Sequence, residues 1–187
     1  IDAGKLVIDP VSTALADLCT DVAVVMSGNQ GDKPVEVIFD LDPELPERVM
    51  VDKLRVQQVL INLIGNALKF TAQGHVWVQL TCLTLSPGHA LVHFCIRDTG
   101  IGIRQEQQSR IFDGFVQAES STTRRFGGTG LGLVITKNLI ELMGGELTLV
   151  SELGQGSEFS FNLNLALADT TALRTQASLP GGRFLLV

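Results

Sequence analysis

Three stretches of the chain repeat apolar side chains at the three- and four-residue spacing that is typical of helices packed on one face. In the first stretch these positions are Leu15, Leu18, Val22 and Val25. Asp52 precedes the second stretch as a capping residue, and the third ends at paired glycines. The pattern predicts helices over residues 11–25, 53–70 and 131–143, with a shorter helix over residues 105–112.

Apolar and polar residues alternate in five other segments, as expected for strands with one buried face. The segments cover residues 35–40, 75–85, 90–98, 146–151 and 158–165. Pro87-Gly88 and Gly154-Gln155-Gly156 separate two pairs of these segments and indicate hairpins. This order of elements favours an α/β two-layer sandwich, in which helices cover one face of a mixed sheet.

The remaining segments suggest how the chain is divided. Residues 113–130 are polar, contain glycine and show no period, which is typical of a lid or binding loop. Residues 167–182 are rich in alanine, threonine and serine, as in linkers. We therefore expect one domain over residues 9–166, a lead-in at 1–8, and the first strand of a further domain at 183–187.

Composition narrows the classes of ligand. The 187 residues carry a formal net charge of -6, which disfavours nucleic acid as a partner because its binders are usually basic. A nucleotide remains acceptable, since a metal ion and a few basic residues can offset phosphate charge. No apolar run reaches the roughly 20 residues that cross a bilayer, so we expect no membrane contact by this segment. The three separated cysteines indicate buried, reduced thiols.

The polar face of the second predicted helix is unusual. Arg55, Gln58, Asn66 and Lys69 lie within roughly 40° of Asn62 around the helix axis. A solvated face would favour glutamate and lysine, whereas asparagine is a mediocre helix former. Two asparagines and a lysine instead suggest an amide oxygen for Mg²⁺ and an ammonium group for a phosphate.

Asp98 ends a predicted strand on the same face as Val92, Phe94 and Ile96, which is the expected buried face. A carboxylate there is unfavourable unless it accepts hydrogen bonds. Asp98 either begins a turn or accepts a hydrogen bond from a ligand amine such as N6 of adenine. In the second case the glycines of residues 99–102 would let the ring approach the backbone, and ATP would be preferred over GTP.

Glycines at positions 128, 130 and 132 lead directly into the third predicted helix. They would leave backbone N–H groups open at a helix N-terminus, which suits an anion. The segment is not a P-loop, because no Gly-Lys-Ser/Thr follows it. Arg124 and Arg125 could reach phosphates or could be solvated charges of the lid.

In combination these segments resemble the catalytic domain of bacterial histidine kinases. Residues 60–71, LINLIGNALKFT, resemble the N box of that family, and DTGIG at 98–102 resembles its G1 box. The F box, the G2 box and the last glycine box are matched by IFDGF at 111–115, GGTGLGL at 127–133 and GQGSEF at 154–159. The resemblance covers residues 9–165 and implies the Bergerat ATP-binding fold with three helices and a mobile lid.

The resemblance also implies roles for single residues. Asn66 would ligate Mg²⁺ with Asn62 beside it, Lys69 would contact a phosphate, and Asp98 would bind adenine N6. Catalytic residues would be Asn62, Asn66, Lys69, Arg124 and Arg125. Further ATP contacts would come from Phe70, Gly100, Gly102, Ile103, Phe112, Gly128, Thr129, Gly130, Leu131 and Gly132.

The implied activity is transfer of the γ-phosphoryl group of ATP to a histidine on a separate dimerisation domain. Partners would be that domain, a receiver domain or response regulator, and a second protomer. Residues 1–6 and 183–187 resemble the junctions to such domains in a hybrid kinase. The resemblance is compatible with a parent protein anchored in the inner membrane. Related gyrase and chaperone ATPases carry a glutamate base where Asn62 stands, so hydrolysis should be slow. An anti-sigma-type serine kinase and a non-catalytic ATP-binding module remain alternatives.

Overall fold

A computed structural model describes residues 7–28, 33–112, 131–168 and 183–186, the last segment by its backbone alone. The described helices are α1 (Leu15–Ser27), α2 (Lys53–Phe70), α3 (Gln105–Gln108) and α4 (Leu131–Leu142). The described strands are β1 (Val11–Thr13), β2 (Val35–Leu41), β3 (Val49–Val51), β4 (Gly74–Ser86), β5 (His89–Asp98), β6 (Thr148–Glu152), β7 (Gly156–Leu167) and β8 (Arg183–Leu186).

These strands form one mixed sheet in the order β1-β3-β7-β5-β4-β2-β8, with β6 beside the first half of β7. Strands β2 and β4 are parallel, and the other described pairs are antiparallel. The β4–β5 and β6–β7 hairpins lie next to each other because β5 also pairs along β7. The carboxyl end of β5 therefore lies beside the turn of the second hairpin.

The core lies between one face of this sheet and helices α1, α2 and α4. Its largest fully buried side chains include Phe39, Phe94 and Phe161, and the last two stack at 4.8 Å between ring centroids. Apolar residues of α2 at spacings of three and four face this layer, as the sequence predicts. The two-layer arrangement with helices on one face is thereby confirmed.

Helix α2 begins where the sequence predicts. Asp52 is buried, and its carboxylate accepts hydrogen bonds from the N–H of Arg55 at 3.1 Å and the N–H of Asp9 at 3.0 Å. At the other end the Lys33 ammonium donates to the carbonyl oxygen of Leu68 at 3.0 Å. A cation suits this end because the last carbonyl groups of a helix carry partial negative charge.

Several predicted boundaries were wrong. Residues 11–13 form strand β1 rather than the start of a helix, because they pair with β3, a strand that the pattern does not show. Both strands have three residues, too few for a period to appear. Helix α3 ends at Gln108, four residues early, and β6 begins at Thr148. In α1 the buried stripe ends at Met26, while Val25 is exposed.

The predicted burial of the cysteine thiols is confirmed at two of the three positions. Cys19 and Cys95 are buried, and burial raises their thiol pKa values to about 12 and about 11, whereas Cys82 is only half-buried.

The backbone of residues 183–186 pairs with β2 as strand β8. The division of the chain into a domain, a linker and the start of a further domain stays a prediction.

Candidate nucleotide site

Asp98 stands at the end of β5 on the helix-covered face of the sheet, together with Val92, Phe94 and Ile96. It is only 6% exposed, which confirms the burial predicted from alternation. Burial raises the pKa of its carboxyl group, while the backbone N–H groups of Gly100 and Ser157 stabilise the ionised form and oppose the rise. The Gly100 N–H donates to Asp98 Oδ1 at 2.8 Å.

The loop after Asp98 is held by close backbone contacts on both sides. A Cβ atom at Gly100 would lie 2.5 Å from the carbonyl oxygen of Phe70 and 2.8 Å from Asp98 Oδ1. The Ile101 N–H donates to that same carbonyl oxygen at 3.2 Å. The loop thus joins the end of α2 to the end of β5, and Gly100 is required by this contact.

The other side of the loop rests on the β6–β7 hairpin. Gly102 has φ +67°, and a Cβ atom there would collide with the carbonyl oxygen of Glu152. A Cβ atom at Gly156, where φ is +95°, would collide with the carbonyl oxygen of Asp98. The sequence predicts Gly102 to be needed for the approach of a ligand ring, whereas the structure shows that it is needed for the approach of the protein's own backbone.

Polar side chains that the sequence pattern does not predict complete this junction. The Ser151 hydroxyl accepts a hydrogen bond from the Ile103 N–H at 2.8 Å and donates to the Gly156 carbonyl at 2.9 Å. The Gln108 amide donates to the carbonyl oxygens of Ile103 and Ser151, both at 2.9 Å. Serine and glutamine at such positions carry no distinctive pattern, so only the fold reveals them.

The predicted polar face of α2 divides into two parts. Arg55 and Gln58 pair with each other at 3.1 Å on the surface. Asn62 instead reaches α4, where its Nδ2 donates to the hydroxyl of the buried Thr136 at 2.7 Å. Asn66 and Lys69 follow on the same side of α2 and are half-buried. The face therefore contacts α4 through Asn62.

Helix α4 begins against this face. A Cβ atom at Gly132 would lie 2.5 Å from Asn62 Oδ1, so the glycine lets the two helices meet. Phe112 lies near the same helix, because the Lys137 ammonium is 5.8 Å from its ring centroid. Leu131 begins α4 and is exposed. Predicted site residues Arg124, Arg125, Gly128, Thr129 and Gly130 lie outside the described residues, as does the lid at 113–130.

The two ends of this surface suit different chemistry. The Asp98 end offers a buried carboxylate acceptor beside a fixed backbone loop. The Asn66 end offers amide oxygens and an ammonium group on a half-exposed helix face. Amide oxygens are suitable ligands for a hard cation such as Mg²⁺, and lysine suits phosphate, so the residues present fit both groups.

Comparison with known proteins then gives the family. The family model described as histidine kinase-, DNA gyrase B-, and HSP90-like ATPase matches residues 51–167. The chain belongs to this family. The signal transduction histidine-protein kinase BarA of Escherichia coli K12 is 40% identical over 167 residues, which are 89% of this chain and 18% of BarA. The sensor protein GacS of Pseudomonas syringae pv. syringae is 39% identical over 90% of this chain and 18% of its own length.

Solved structures show the same family likeness. A crystal structure of full-length ShkA in complex with AMPPNP has a TM-score of 0.75 and 34% identity, covering 89% of this chain and 33% of that one. The catalytic domain of histidine kinase ThkA has a TM-score of 0.64 and 26% identity, covering 83% of this chain and 97% of that domain. The resemblance to histidine kinase catalytic domains and the Bergerat-type fold are thereby confirmed.

BarA and GacS are much longer than this chain, which spans about a fifth of the length of each. One relative, from Dictyostelium discoideum, is named hybrid signal transduction histidine kinase B and is 34% identical over 96% of this chain and 9% of its own length. Within the described residues, no helix is long and apolar enough to cross a membrane.

Proposed function

We propose that this chain binds Mg²⁺-ATP and presents its γ-phosphoryl group to a histidine on a separate dimerisation domain. One observation carries the proposal: a chain of the histidine kinase ATPase family has both the buried acceptor Asp98 and a face of α2 that carries Asn66 and Lys69. Asp98 would accept from adenine N6, Asn66 would hold the metal, and Lys69 would contact a phosphate. Bound magnesium would neutralise phosphate charge.

Phosphoryl transfer rather than hydrolysis suits the residue at position 62. An amide cannot act as the base that takes a proton from water, and the Asn62 amide already donates a hydrogen bond to Thr136. The site would hold ATP intact until a nucleophile arrives from another domain. Transfer would form a phosphorus–nitrogen bond to the imidazole and release ADP.

The three histidines of this chain are poor acceptors. His75 stacks on Trp77 at 5.2 Å between ring centroids, and its Nε2 is 3.7 Å from a Glu36 carboxylate oxygen. His93 Nδ1 is 2.7 Å from the Asn162 amide oxygen. By strand alternation both lie on the sheet face opposite Asp98. His89 starts β5 at the far end of that strand. The acceptor would therefore belong to a partner domain.

The further partners follow from the same proposal. A receiver domain or response regulator would take the phosphoryl group onward, and the whole protein would be a homodimer. We propose no nucleic-acid partner, in keeping with the net charge of -6. The hybrid arrangement is supported by the relative named as a hybrid kinase. We also propose that the whole protein is anchored in the inner membrane.

The test uses ATP labelled at the γ-phosphate. The chain alone should stay unlabelled, and mixing it with a helical dimerisation domain that carries the acceptor histidine should give an acid-labile, base-stable phosphoryl group. Asn66→Ala should abolish labelling, and Gln58→Ala, an exposed position on the same helix face, should retain it.

The two alternatives predict different products. Acid-stable phosphoserine would indicate a serine kinase of the same fold. No label in the complete protein would indicate a non-catalytic ATP-binding module. Stable labelling of a histidine within the chain alone would contradict the proposed division between ATP-binding and acceptor domains.

A further inference from the structure

A buried side-chain hydrogen bond joins helices α2 and α4. The Asn62 Nδ2 donates to Thr136 Oγ1 at 2.7 Å, and Thr136 is 1% exposed. One turn earlier on α4, Gly132 leaves just enough room for the Asn62 amide oxygen, since a Cβ atom would lie 2.5 Å from Oδ1. The amide of Asn62 is thus enclosed by two positions of α4 that are four residues apart.

This contact defines which way the amide points. The two orientations of an asparagine amide have nearly the same shape, so hydrogen bonding must select between them. The first N–H groups of a helix have no partner within the helix and carry partial positive charge. Gly132 lies in the first turn of α4, so an amide oxygen suits that side. The amide nitrogen then faces Thr136, whose hydroxyl can accept its hydrogen bond.

We propose that Thr136 is a positioning residue for the metal and phosphate end of the site. Its hydroxyl holds the Asn62 amide with Oδ1 turned toward the start of α4, beside the Asn66 face of α2. The start of α4 and the metal-binding face then keep one relative position. This inference rests on the proposed function, because it concerns how Mg²⁺-ATP is held.

Two substitutions separate the hydroxyl from the bulk of the side chain. Thr136→Val keeps the volume and branching but leaves the amide nitrogen of Asn62 without its partner. Thr136→Ser keeps the hydroxyl and removes a methyl group. A residue with only a packing role would respond in the opposite order, because serine loses buried contacts and valine retains them.

The experiment is titration calorimetry on the 187-residue chain. ATP is titrated with magnesium and with a chelator, and ADP is titrated with a chelator. Thr136→Val should reduce the magnesium-dependent gain in ATP affinity about fivefold, as expected for one lost hydrogen bond. ADP affinity without metal should change by less than about twofold. Thr136→Ser should stay near wild type. In an Asn62→Ala background, Thr136→Val should have no further effect on that gain.

Three results would overturn the inference: a full magnesium-dependent gain in Thr136→Val, an equal loss in Thr136→Ser, or an undiminished effect of Thr136→Val when Asn62 is alanine. A wild-type chain that binds ATP equally well with and without magnesium would contradict the proposed metal site itself. That outcome is visible before any variant is made.

Discussion

The two ends of the candidate site are built in different ways. Around Asp98 the backbone is fixed by glycine contacts and by hydrogen bonds from the β6–β7 hairpin, including the Gly154 N–H to the Ile101 carbonyl at 2.7 Å. At Asn62 two helices meet through a side-chain hydrogen bond to Thr136. Base recognition therefore rests on a rigid frame, while the phosphate end rests on the relative position of two helices.

The difference has a physical consequence for function. A rigid acceptor such as Asp98 can select a base without rearrangement, because its orientation is already determined before binding. The relative position of α2 and α4, held in part by the Asn62–Thr136 hydrogen bond, can respond when metal and phosphate bind. The adenine end should therefore tolerate few backbone changes, and the phosphate end should be sensitive to single side chains.

The largest effect is expected from a backbone collision at the rigid end. Gly154 and Gly156 both have positive φ, at +83° and +95°, but only at Gly156 would a Cβ atom meet the Asp98 carbonyl. Gly154→Ala should destabilise the chain by about 1–2 kcal/mol through φ alone. Gly156→Ala should cost roughly 1–3 kcal/mol more, as overpacking does. Urea unfolding measures both, and equal losses would contradict the contact described.

The next largest effect is on ATP binding at Asp98. Asp98→Ala should weaken ATP by about 10- to 150-fold, since a hydrogen bond to a charged group contributes roughly 1.5–3 kcal/mol. Arg97→Ala is the matched control, because Arg97 is the preceding residue and faces the other side of the sheet in an exposed position. Calorimetry with ATP and GTP measures the effect. Equal affinity of the wild-type chain for both nucleotides would refute the assignment of adenine to Asp98.

A smaller effect is expected away from both ends. Asp52→Ala removes the N-cap of α2 and the acceptor of the Asp9 N–H, so stability should fall by about 1–2 kcal/mol. Because the α2 residues of the site lie about three to five turns further along, ATP affinity measured well below the melting temperature should stay within about twofold of wild type. A large loss of affinity would show that the phosphate end depends on the whole helix.

The smallest effect concerns pH and distinguishes the buried acceptor from an exposed one. Burial raises the folded pKa of Asp98, so its contribution to stability is present below the unfolded pKa and is lost as pH rises through the folded pKa. The melting temperature of Asp98→Asn should therefore exceed that of wild type at neutral pH, and this difference should shrink as the pH is lowered into the acidic range. Asp17→Asn, at an exposed position of α1, is the control. A difference in melting temperature that widens on acidification would contradict the raised pKa of Asp98.

The sequence predicted the helices and hairpins that carry strong periods, and it predicted the buried face of Asp98. Helix α2 was predicted to the residue because Asp52 is a strong capping signal and the apolar stripe is long. Strands β1 and β3 were missed because three residues cannot show a period and their pairing joins distant parts of the chain. A local pattern of residues does not predict which distant segments pair.

At the site, the sequence indicated residue types but not their reasons. Asn62 was predicted on the polar face of α2, yet its partner Thr136 lies 74 positions away and reads as an ordinary helix residue. Gly102 and Gly156 were noticed as parts of glycine motifs, whereas the backbone contacts that require them appear only in the fold. Ser151 and Gln108 carried no sequence signal, because a single polar residue has many possible partners.

The central claim is that Asp98 and Asn66 act at separate ends of one nucleotide. A double-mutant cycle tests it most directly, with ATP titrated into wild type, Asp98→Ala, Asn66→Ala and the double variant, each with magnesium and with a chelator. Asp98→Ala should weaken ATP by the same factor in both conditions, Asn66→Ala should weaken it only with magnesium, and the two losses should add. Loss of affinity in Asn66→Ala without metal, or a loss in Asp98→Ala that depends on magnesium, would contradict the account.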